Sequence, residues 1–237
     1  MRTLLSAAAC VSALSSIASP ASAATRNFGI TGFEKVRIEG PYKIILSTGV
    51  APFARATGSP AALDRVAIEV RGNTLVIHIS VSSWGGFSNA NSGPIEIALG
   101  THDLRSVWLN GSGTIAIDRV KGLSFDLSVQ GSGGGSIGRV DVDQLSVNLG
   151  GTTSATLAGQ SAKMTAVVRG NSVLDASGLK VADAVLGSEG AATVKADVHN
   201  AIKIDGSGPA TITLSGKPAC TLRISGSVGV SGCGKAD

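Results

Sequence analysis

The 237-residue chain has few of the residues that usually build a catalytic, metal or nucleic-acid site. Aromatic residues make up 3% of it, it has three histidines, and its net charge is +4 without a run of lysine or arginine. A surface dedicated to nucleic acid would cluster its basic residues, so no nucleic-acid partner is expected. His78, His102 and His199 lie far apart in sequence, and we predict neither a metal site nor a cofactor.

The first 23 residues have the features of a secretory signal peptide. A positive start precedes small and apolar residues, and Ala21-Ser22-Ala23 fits the A-x-A cleavage rule. The apolar stretch is short and interrupted by serine, so we predict no permanent membrane span. Lipidation at Cys10 is the alternative. We predict a signal peptide at 1–23 and an exported chain at 24–237, located in the periplasm, on the outer-membrane surface or outside the cell.

Two cysteines remain after such processing, Cys220 and Cys233. In an oxidising compartment an even number of cysteines suggests a disulfide. The alternative is a metal site, but no histidine lies nearby in sequence. We therefore predict a structural Cys220–Cys233 bridge.

From residue 107 onward one short unit recurs, with the pattern apolar, any, apolar, any, Gly. Its glycines are 17 to 20 residues apart, and they are Gly111, Gly131, Gly151, Gly170, Gly187, Gly206 and Gly226. A near-constant period of about 20 residues is the signature of a solenoid. The recurring "GSG" that follows several of these units is therefore interpreted as the corner of a repeating structure.

Two further short apolar segments separate successive glycines. They alternate with period two, which is typical of strands with one buried face, and no stretch sustains a helical period. Among the residues expected inside are Leu123, Val173, Val185, Leu222 and Ile224. The sequence thus predicts an all-β fold, a single-stranded parallel β-helix of about 20 residues per coil, expected to be right-handed. Residues 107–232 would form the repetitive coils.

Residues 28–106 differ from the coils in sequence pattern. Their predicted strands are longer and are separated by Gly, Pro and Asn turns. We expect them to form the first, wider coils and to cover the open end of the stack, as terminal repeats must. The exported chain would then be one domain with an N-terminal cap.

The order of these segments resembles the bacterial head-GIN domain family. The segments that carry the resemblance are "GFEKVRIEGPYKIILSTG", "LDRVAIEVRGNTLVIHI" and "PIEIALGTHDLRSVWLNGSG", followed by coils punctuated with GSG. The resemblance spans roughly residues 28–232. It implies a β-helical fold and an envelope or surface location for secreted proteins labelled auto-transporter adhesins, formerly a domain of unknown function. It supplies no catalytic residues.

Two patterns raise the possibility of an enzyme. Residues 133–138, "GGGSIG", match G-x-G-x-x-G, but a strand-like segment follows where a dinucleotide site needs a helix. Asp141 and Asp143 lie on one side of a strand, as a polysaccharide-cleaving site on a β-helix would require. The spacings of the aspartates do not follow the 20-residue period, however. We predict no catalytic residues and no enzymatic activity.

The few exposed aromatic residues are the candidate contact points. Trp108 sits between two inward-facing residues and should face solvent, and residues 82–93 form the longest polar loop, with Trp84 and Phe87. The alternative is that these rings fold back and cap the first coils. Our hypothesis is an adhesin-like module that contacts glycans or cell-surface and matrix components. The runner-up is a periplasmic protein that binds or processes polysaccharide.

Overall fold

Each coil consists of three short segments. The alternation of buried and exposed residues is interrupted between them, where two consecutive residues are both exposed. The computed structural model describes residues 23–80 and 94–234. Within strand 134–151, both Gly138 and Arg139 are exposed, as are Asp143 and Gln144. Consecutive side chains of a straight strand point to opposite faces, so two exposed neighbours mark a bend. A glycine corner provides the third bend, and each coil is three-sided.

The coils stack as parallel strands in register. The structure is 73% strand with almost no helix and forms a β-solenoid of about six turns, which confirms the predicted fold class. The strands of the stack are β8 (Ser106–Gly111), β9 (Thr114–Gly131), β10 (Gly134–Gly151), β11 (Ser154–Gly170), β12 (Val173–Glu189), β13 (Thr193–Ser207), β14 (Thr211–Ser215), β15 (Ala219–Ser225) and β16 (Gly229–Ser231).

Aliphatic side chains fill the interior, and glycines allow the coils to approach at the corners. Val129 and Ile204 are both 0% exposed. At the corner after Val129, Gly131 has φ +104°, and a Cβ there would lie 2.7 Å from the carbonyl oxygen of Gly111 in the neighbouring coil. Any other residue at this position would overlap that backbone, so the recurring glycine has a structural role.

Two predicted corners and several predicted core positions are wrong. The corners lie at Gly190 and Gly208, which have positive φ and stack on the preceding corners, whereas Gly187 and Gly206 belong to the strands before them. The phase of the alternation changes accordingly: Leu186 is buried in place of Val185. Predicted core residues that are exposed by 44–78% are Val173, Val185 and, at a bend, Leu123.

The first coil of the stack precedes the repeat that the sequence predicted. The N-terminal elements are β1 (Ala24–Phe28), β2 (Lys35–Glu39), β3 (Lys43–Thr48), β4 (Phe53–Gly58), α1 (Pro60–Leu63), β5 (Val66–Arg71), β6 (Thr74–Ile79) and β7 (Glu96–Thr101). β2 pairs parallel with β8 and β3 pairs parallel with β9. The segment "VRIEG" at 36–40 therefore stacks directly on "VWLNG" at 107–111.

The chain between these two coils builds the N-terminal end of the stack. β6 pairs with the other edge of β2, and β7 pairs with the other edge of β3, both parallel. Antiparallel β5 and β4 then lie beyond β6 and β7, and β1 lies beyond β4. The spatial order of strands thus differs from their chain order. β2 and β3 thus belong to the stack although they precede residue 107. The division of the chain at residue 107 stays a prediction.

Up to residue 234, the C-terminal end has a disulfide and no layer of antiparallel strands. Cys220 and Cys233 are bonded, with 5.8 Å between their Cα atoms, which confirms the predicted bridge. Cys220 pairs in register with Ile202, so its side chain continues an inward column. Leu222 and Ile224, expected in the core, are 45% and 41% exposed. They lie in inward positions, but no described strand covers them.

Candidate contact surface

Trp108 lies on the outer face of β8, between the buried residues Val107 and Leu109. It is 38% exposed, in agreement with the outward orientation that alternation predicts. In the neighbouring coils its register partners are Arg37 on one side and Ser128 on the other. The indole therefore belongs to a column of outward side chains that runs across the stacked strands.

Arg37 fixes the position of the indole ring. Its guanidinium carbon lies 4.1 Å from the centroid of the Trp108 ring, a cation–π arrangement. Its Nε also donates a 2.7 Å hydrogen bond to Glu39 Oε1 on the same strand. Because the guanidinium is held from two sides, one face of the ring is packed while the rest stays accessible. We call Arg37, Glu39 and Trp108 the tryptophan patch.

An open groove of about 820 Å³ adjoins the patch at the N-terminal end. Its lining includes Arg71, Thr74 and His78, together with Arg37 and Glu39 of the patch. The groove therefore presents cationic side chains beside the Glu39 carboxylate, and these side chains can donate and accept hydrogen bonds. Such a surface suits a polar ligand that also offers an apolar face to the indole.

The charges in the groove are coupled through Glu69. His78 Nε2 lies 3.1 Å from Glu69 Oε1, and Arg71 forms a salt bridge with the same carboxylate. Two hydrogen bonds raise the pKa of His78: the one to the Ile79 carbonyl has the larger effect, and the one to Glu69 has the smaller effect. The hydrogen bonds from His78 and then Arg71 lower the pKa of Glu69. The charge of the groove thus increases as His78 becomes protonated.

Sequence patterns alone did not identify Arg37. The available signal was the match of "VRIEG" to "VWLNG", which puts Arg37 and Trp108 at the same position of one repeat unit, 71 residues apart. The predicted contact residues Trp84 and Phe87 lie outside the described residues. Their segment connects β6, which carries His78, to β7.

A second polar surface follows a column across the stack. The register aligns Lys121, Asp141, Gln160, Lys180, Asp197 and Ser215 in successive coils. Aspartates alone do not follow the period, but polar residues of mixed type do. Gln160 Nε2 donates to Asp141 Oδ1 at 3.0 Å, and an open depression of about 400 Å³ lies here. Asp143 and His199 also line it.

The two aspartates of this column, Asp141 and Asp197, are too far apart to act as a catalytic pair. Asp141 and Asp197 are three coils apart, about 14 Å, whereas paired glycosidase carboxylates are separated by about 5–10 Å. Ser215 Oγ donates to Asp197 Oδ1 at 2.9 Å, and His199 Nε2 lies 3.2 Å from Asp197 Oδ2. The carboxylate thus stands between serine and histidine, where it cannot help the imidazole to activate the hydroxyl.

Two other candidate sites also lack the required geometry. Residues 133–138 run from a corner into β10, so the G-x-G-x-x-G pattern is not followed by a helix N-terminus. In the described ranges 23–80 and 94–234, no three His, Cys, Asp or Glu residues are grouped as metal ligands would be.

The face that follows each glycine corner carries small hydroxyl side chains. Its outward columns contain Thr114, Ser136, Ser154, Thr156, Thr193, Thr211 and Thr213. Ala116, Gly134, Val173, Asp175 and Lys195 interrupt the array. We call this surface the hydroxyl face. It is a flat polar sheet that offers many weak hydrogen-bonding positions.

An apolar cavity of about 250 Å³ lies in the N-terminal region, next to α1. Tyr42, Ala62, Arg65 and Ile95 are among its lining residues. Burial raises the pKa of the Tyr42 hydroxyl. Ile79 and Pro94 also line the cavity.

The family model described as "Putative auto-transporter adhesin, head GIN domain" matches residues 32–218. The chain belongs to the head-GIN family. This confirms the resemblance predicted from the sequence. A search of the curated proteins finds no match to the sequence. Over the described part of the chain, no helix has the length and apolar character needed to cross a membrane.

Several solved bacterial structures share the fold of this head-GIN chain. A "putative adhesin" from Bacteroides fragilis has a TM-score of 0.75 at 18% identity, with 90% of this chain and 95% of that chain covered. A "putative lipid binding protein" from Parabacteroides distasonis has a TM-score of 0.67 at 20% identity, covering 88% and 95%. A "putative adhesin" from Parabacteroides merdae has a TM-score of 0.65 at 14% identity, covering 88% and 95%.

Proposed function

We propose that this head-GIN protein is an exported, non-enzymatic contact module that binds surface or matrix polysaccharide through the tryptophan patch. The observation that carries the proposal is the half-exposed Trp108 ring, held by Arg37 beside an open polar groove. Burying the apolar surface of an exposed indole against a ligand is favourable. Aromatic side chains also often contribute most of the binding energy at protein interfaces.

The rest of the surface supports broad, shallow contact. The hydroxyl face is a flat sheet of mostly small polar side chains. Such a surface suits a repetitive polymer that is held by many weak contacts along the stack. The name of the family and the names of two of the three structural neighbours described above are consistent with adhesion.

A periplasmic protein that processes polysaccharide is the second candidate. The depression beside Asp141 and Asp143 is the observation that favours it. The order of Ser215, Asp197 and His199 argues against nucleophilic catalysis there. Release of shortened products from a bound polysaccharide would support this candidate and contradict the non-enzymatic proposal.

The test is a glycan array, together with binding to extracted cell-surface and matrix polysaccharides, using the exported chain. Trp108→Ala should reduce binding about ten-fold or more, as truncation of a central aromatic contact does. Phe53→Ala is the matched control, because Phe53 is exposed to a similar extent, 40%, but lies on β4 in the N-terminal region. It should bind like the unchanged chain.

Two further variants separate the components of the patch. Arg37→Lys keeps the charge but loses the planar guanidinium, so it should weaken binding less than Trp108→Ala does. Trp84→Ala tests the predicted contact in the 82–93 loop independently. Equal binding by the unchanged chain and a Trp84→Ala, Trp108→Ala double variant would exclude both indoles from the contact.

A further inference from the structure

The outer edge of β15 is unpaired over the described part of the chain. β15 pairs parallel with β13 along all seven residues, Ala219 to Ser225, and no described strand lies on its other edge. An open strand edge presents N–H and C=O groups that can pair with another chain. Proteins usually protect such edges with charges, prolines or bulges, and Arg223 is the only charged residue within this strand.

Apolar side chains are exposed along the same edge. Leu222 continues the inward column of Leu186 and Ile204, which are 1% and 0% exposed, yet Leu222 is 45% exposed. Ile224 is 41% exposed. Residues that are core in every preceding coil are thus left half-uncovered in the last one. Covering them would remove apolar surface from water, which is favourable.

The opposite end of the stack is built differently. Its outermost strands carry charged residues: Arg26 of β1 pairs with Asp64, and Arg71 of β5 pairs with Glu69. The inward residues Val66 and Ile68 of β5 remain buried, at 5% and 9% exposure. A head-to-tail contact between copies would therefore place apolar side chains against a charged edge. Contact between the C-terminal ends of two copies places apolar side chains against apolar side chains. This arrangement closes as a two-fold dimer.

The sequence of β15 is self-complementary in the antiparallel direction. Pairing two copies with Leu222 opposite Leu222 puts Cys220 opposite Ile224 among the inward positions. Among the outward positions it puts Arg223 opposite Thr221, so the two arginines do not face each other. Like charges directly opposite one another would destabilise the pair, and this register avoids them.

We propose that the C-terminal end of the solenoid is a self-association surface, on which β15 pairs antiparallel with β15 of a second copy of this chain, centred on Leu222. This surface is separate from the tryptophan patch. The proposal of self-association can therefore be tested independently of the proposed function. The dimer would direct its two patches away from the shared interface.

Sedimentation velocity over a concentration series tests this proposal, using the exported chain with its disulfide intact. The unchanged chain should shift from monomer to dimer as its concentration rises. Leu222→Lys puts two ammonium groups opposite each other and should weaken the dimer about ten-fold or more. Its unfolding transition should stay close to that of the unchanged chain, because Leu222 is half-exposed in the monomer.

Charge substitutions at Thr221 test the register itself. Thr221→Glu would face Arg223 of the other copy and should tighten the dimer about five-fold, while Thr221→Lys should weaken it by a similar factor. Thr165 is the matched control, because it occupies the same outward column in β11 and is exposed. Thr165→Glu and Thr165→Lys should leave dimerisation unchanged, and so should Trp108→Ala.

A monomer at every concentration would overturn the proposal. Dimerisation that is insensitive to Leu222→Lys would overturn it as well, since the contact would then lie elsewhere. Equal effects of Thr221→Glu and Thr221→Lys would contradict the antiparallel register centred on Leu222.

Discussion

One inward column of the solenoid has a leucine in the first and in the last of its parallel strands, and the two leucines differ in exposure. Leu75 of β6 is 0% exposed, and Leu222 of β15 is 45% exposed. β5 lies beyond β6 and pairs Val70 with Leu75, while no described strand lies beyond β15. The comparison shows that alternation determines the side to which a residue points, whereas the neighbouring layer determines whether it is buried.

The largest expected difference between the two ends comes from truncating these leucines. Leu75→Ala should lower the free energy of unfolding by about 4 kcal/mol, because it removes a fully buried side chain and leaves a cavity. Leu222→Ala should cost about 1 kcal/mol or less, since half of that side chain is already in water. Urea unfolding at low protein concentration measures both. Equal losses would contradict the difference between the two ends.

Removal of the disulfide should have the next largest effect, and it should be confined to the C-terminal end. The bridge closes a loop of 13 residues. The Cys220→Ser, Cys233→Ser double variant should lose about 3 kcal/mol in the chain-entropy model. Hydrogen exchange should accelerate in β15 and β16, while β5 and β6 exchange as before. Acceleration spread evenly over all coils would show that the bridge does more than hold the last one.

A smaller effect of opposite sign is expected at Ser188. It is 0% exposed, and its hydroxyl has no hydrogen-bond partner among the described residues. In the same column the coils nearer the N-terminal end have Leu149 and Val168, so the side chain at this position becomes smaller and more polar by Ser188. Ser188→Ala should raise the free energy of unfolding by about 1 kcal/mol. A loss of stability in thermal or urea unfolding would indicate that the hydroxyl is satisfied.

The smallest expected effect is a pH dependence that belongs to the N-terminal end. The raised pKa of His78 contributes stability that is fully present below the ordinary value of 6.5 and is lost as pH rises through the folded-state pKa. The lowered pKa of Glu69 contributes stability above the ordinary value of 4.5, which is lost as pH falls through its folded-state pKa. The pair should therefore stabilise most between about pH 4.5 and 6.5.

His78→Gln tests this pH dependence, because it removes the titrating ring. The slope of the unfolding midpoint against pH should become shallower above pH 6.5, because the raised pKa of His78 makes its contribution to stability fall as pH rises. The Leu222→Ala variant serves as the control and should keep the full slope. An unchanged slope in His78→Gln would exclude this pair as its source.

The sequence was sufficient for the fold class because the central coils carry their signal locally. Alternation and the glycine corners identified the inward positions of Val129 and Ile204 and the outward position of Trp108. The corners at Gly190 and Gly208 were missed because Gly187 and Gly206 lie near them and suggest a similar spacing. The choice depends on which glycine stacks on the previous corner, and that contact is made between coils.

The ends of the stack were harder to predict because they depend on non-local pairing. Nothing in the period of 20 residues indicates that "VRIEG" at 36–40 stacks on residues 107–111 while the chain between them forms the outer layers. The contact of Arg37 with Trp108 follows from that pairing and was missed with it. Leu222 and Ile224 continue the alternation, so the sequence pattern alone could not show that they are half-exposed.

Hydrogen exchange followed by mass spectrometry at low and high protein concentration tests the difference between the two ends most directly. β5 and β6 should exchange slowly at both concentrations, because the antiparallel layer covers them within one chain. β15 should exchange rapidly in dilute solution and slowly in concentrated solution, and Leu222→Lys should remove this dependence. Slow exchange in β15 at the lowest concentration would contradict an open C-terminal end.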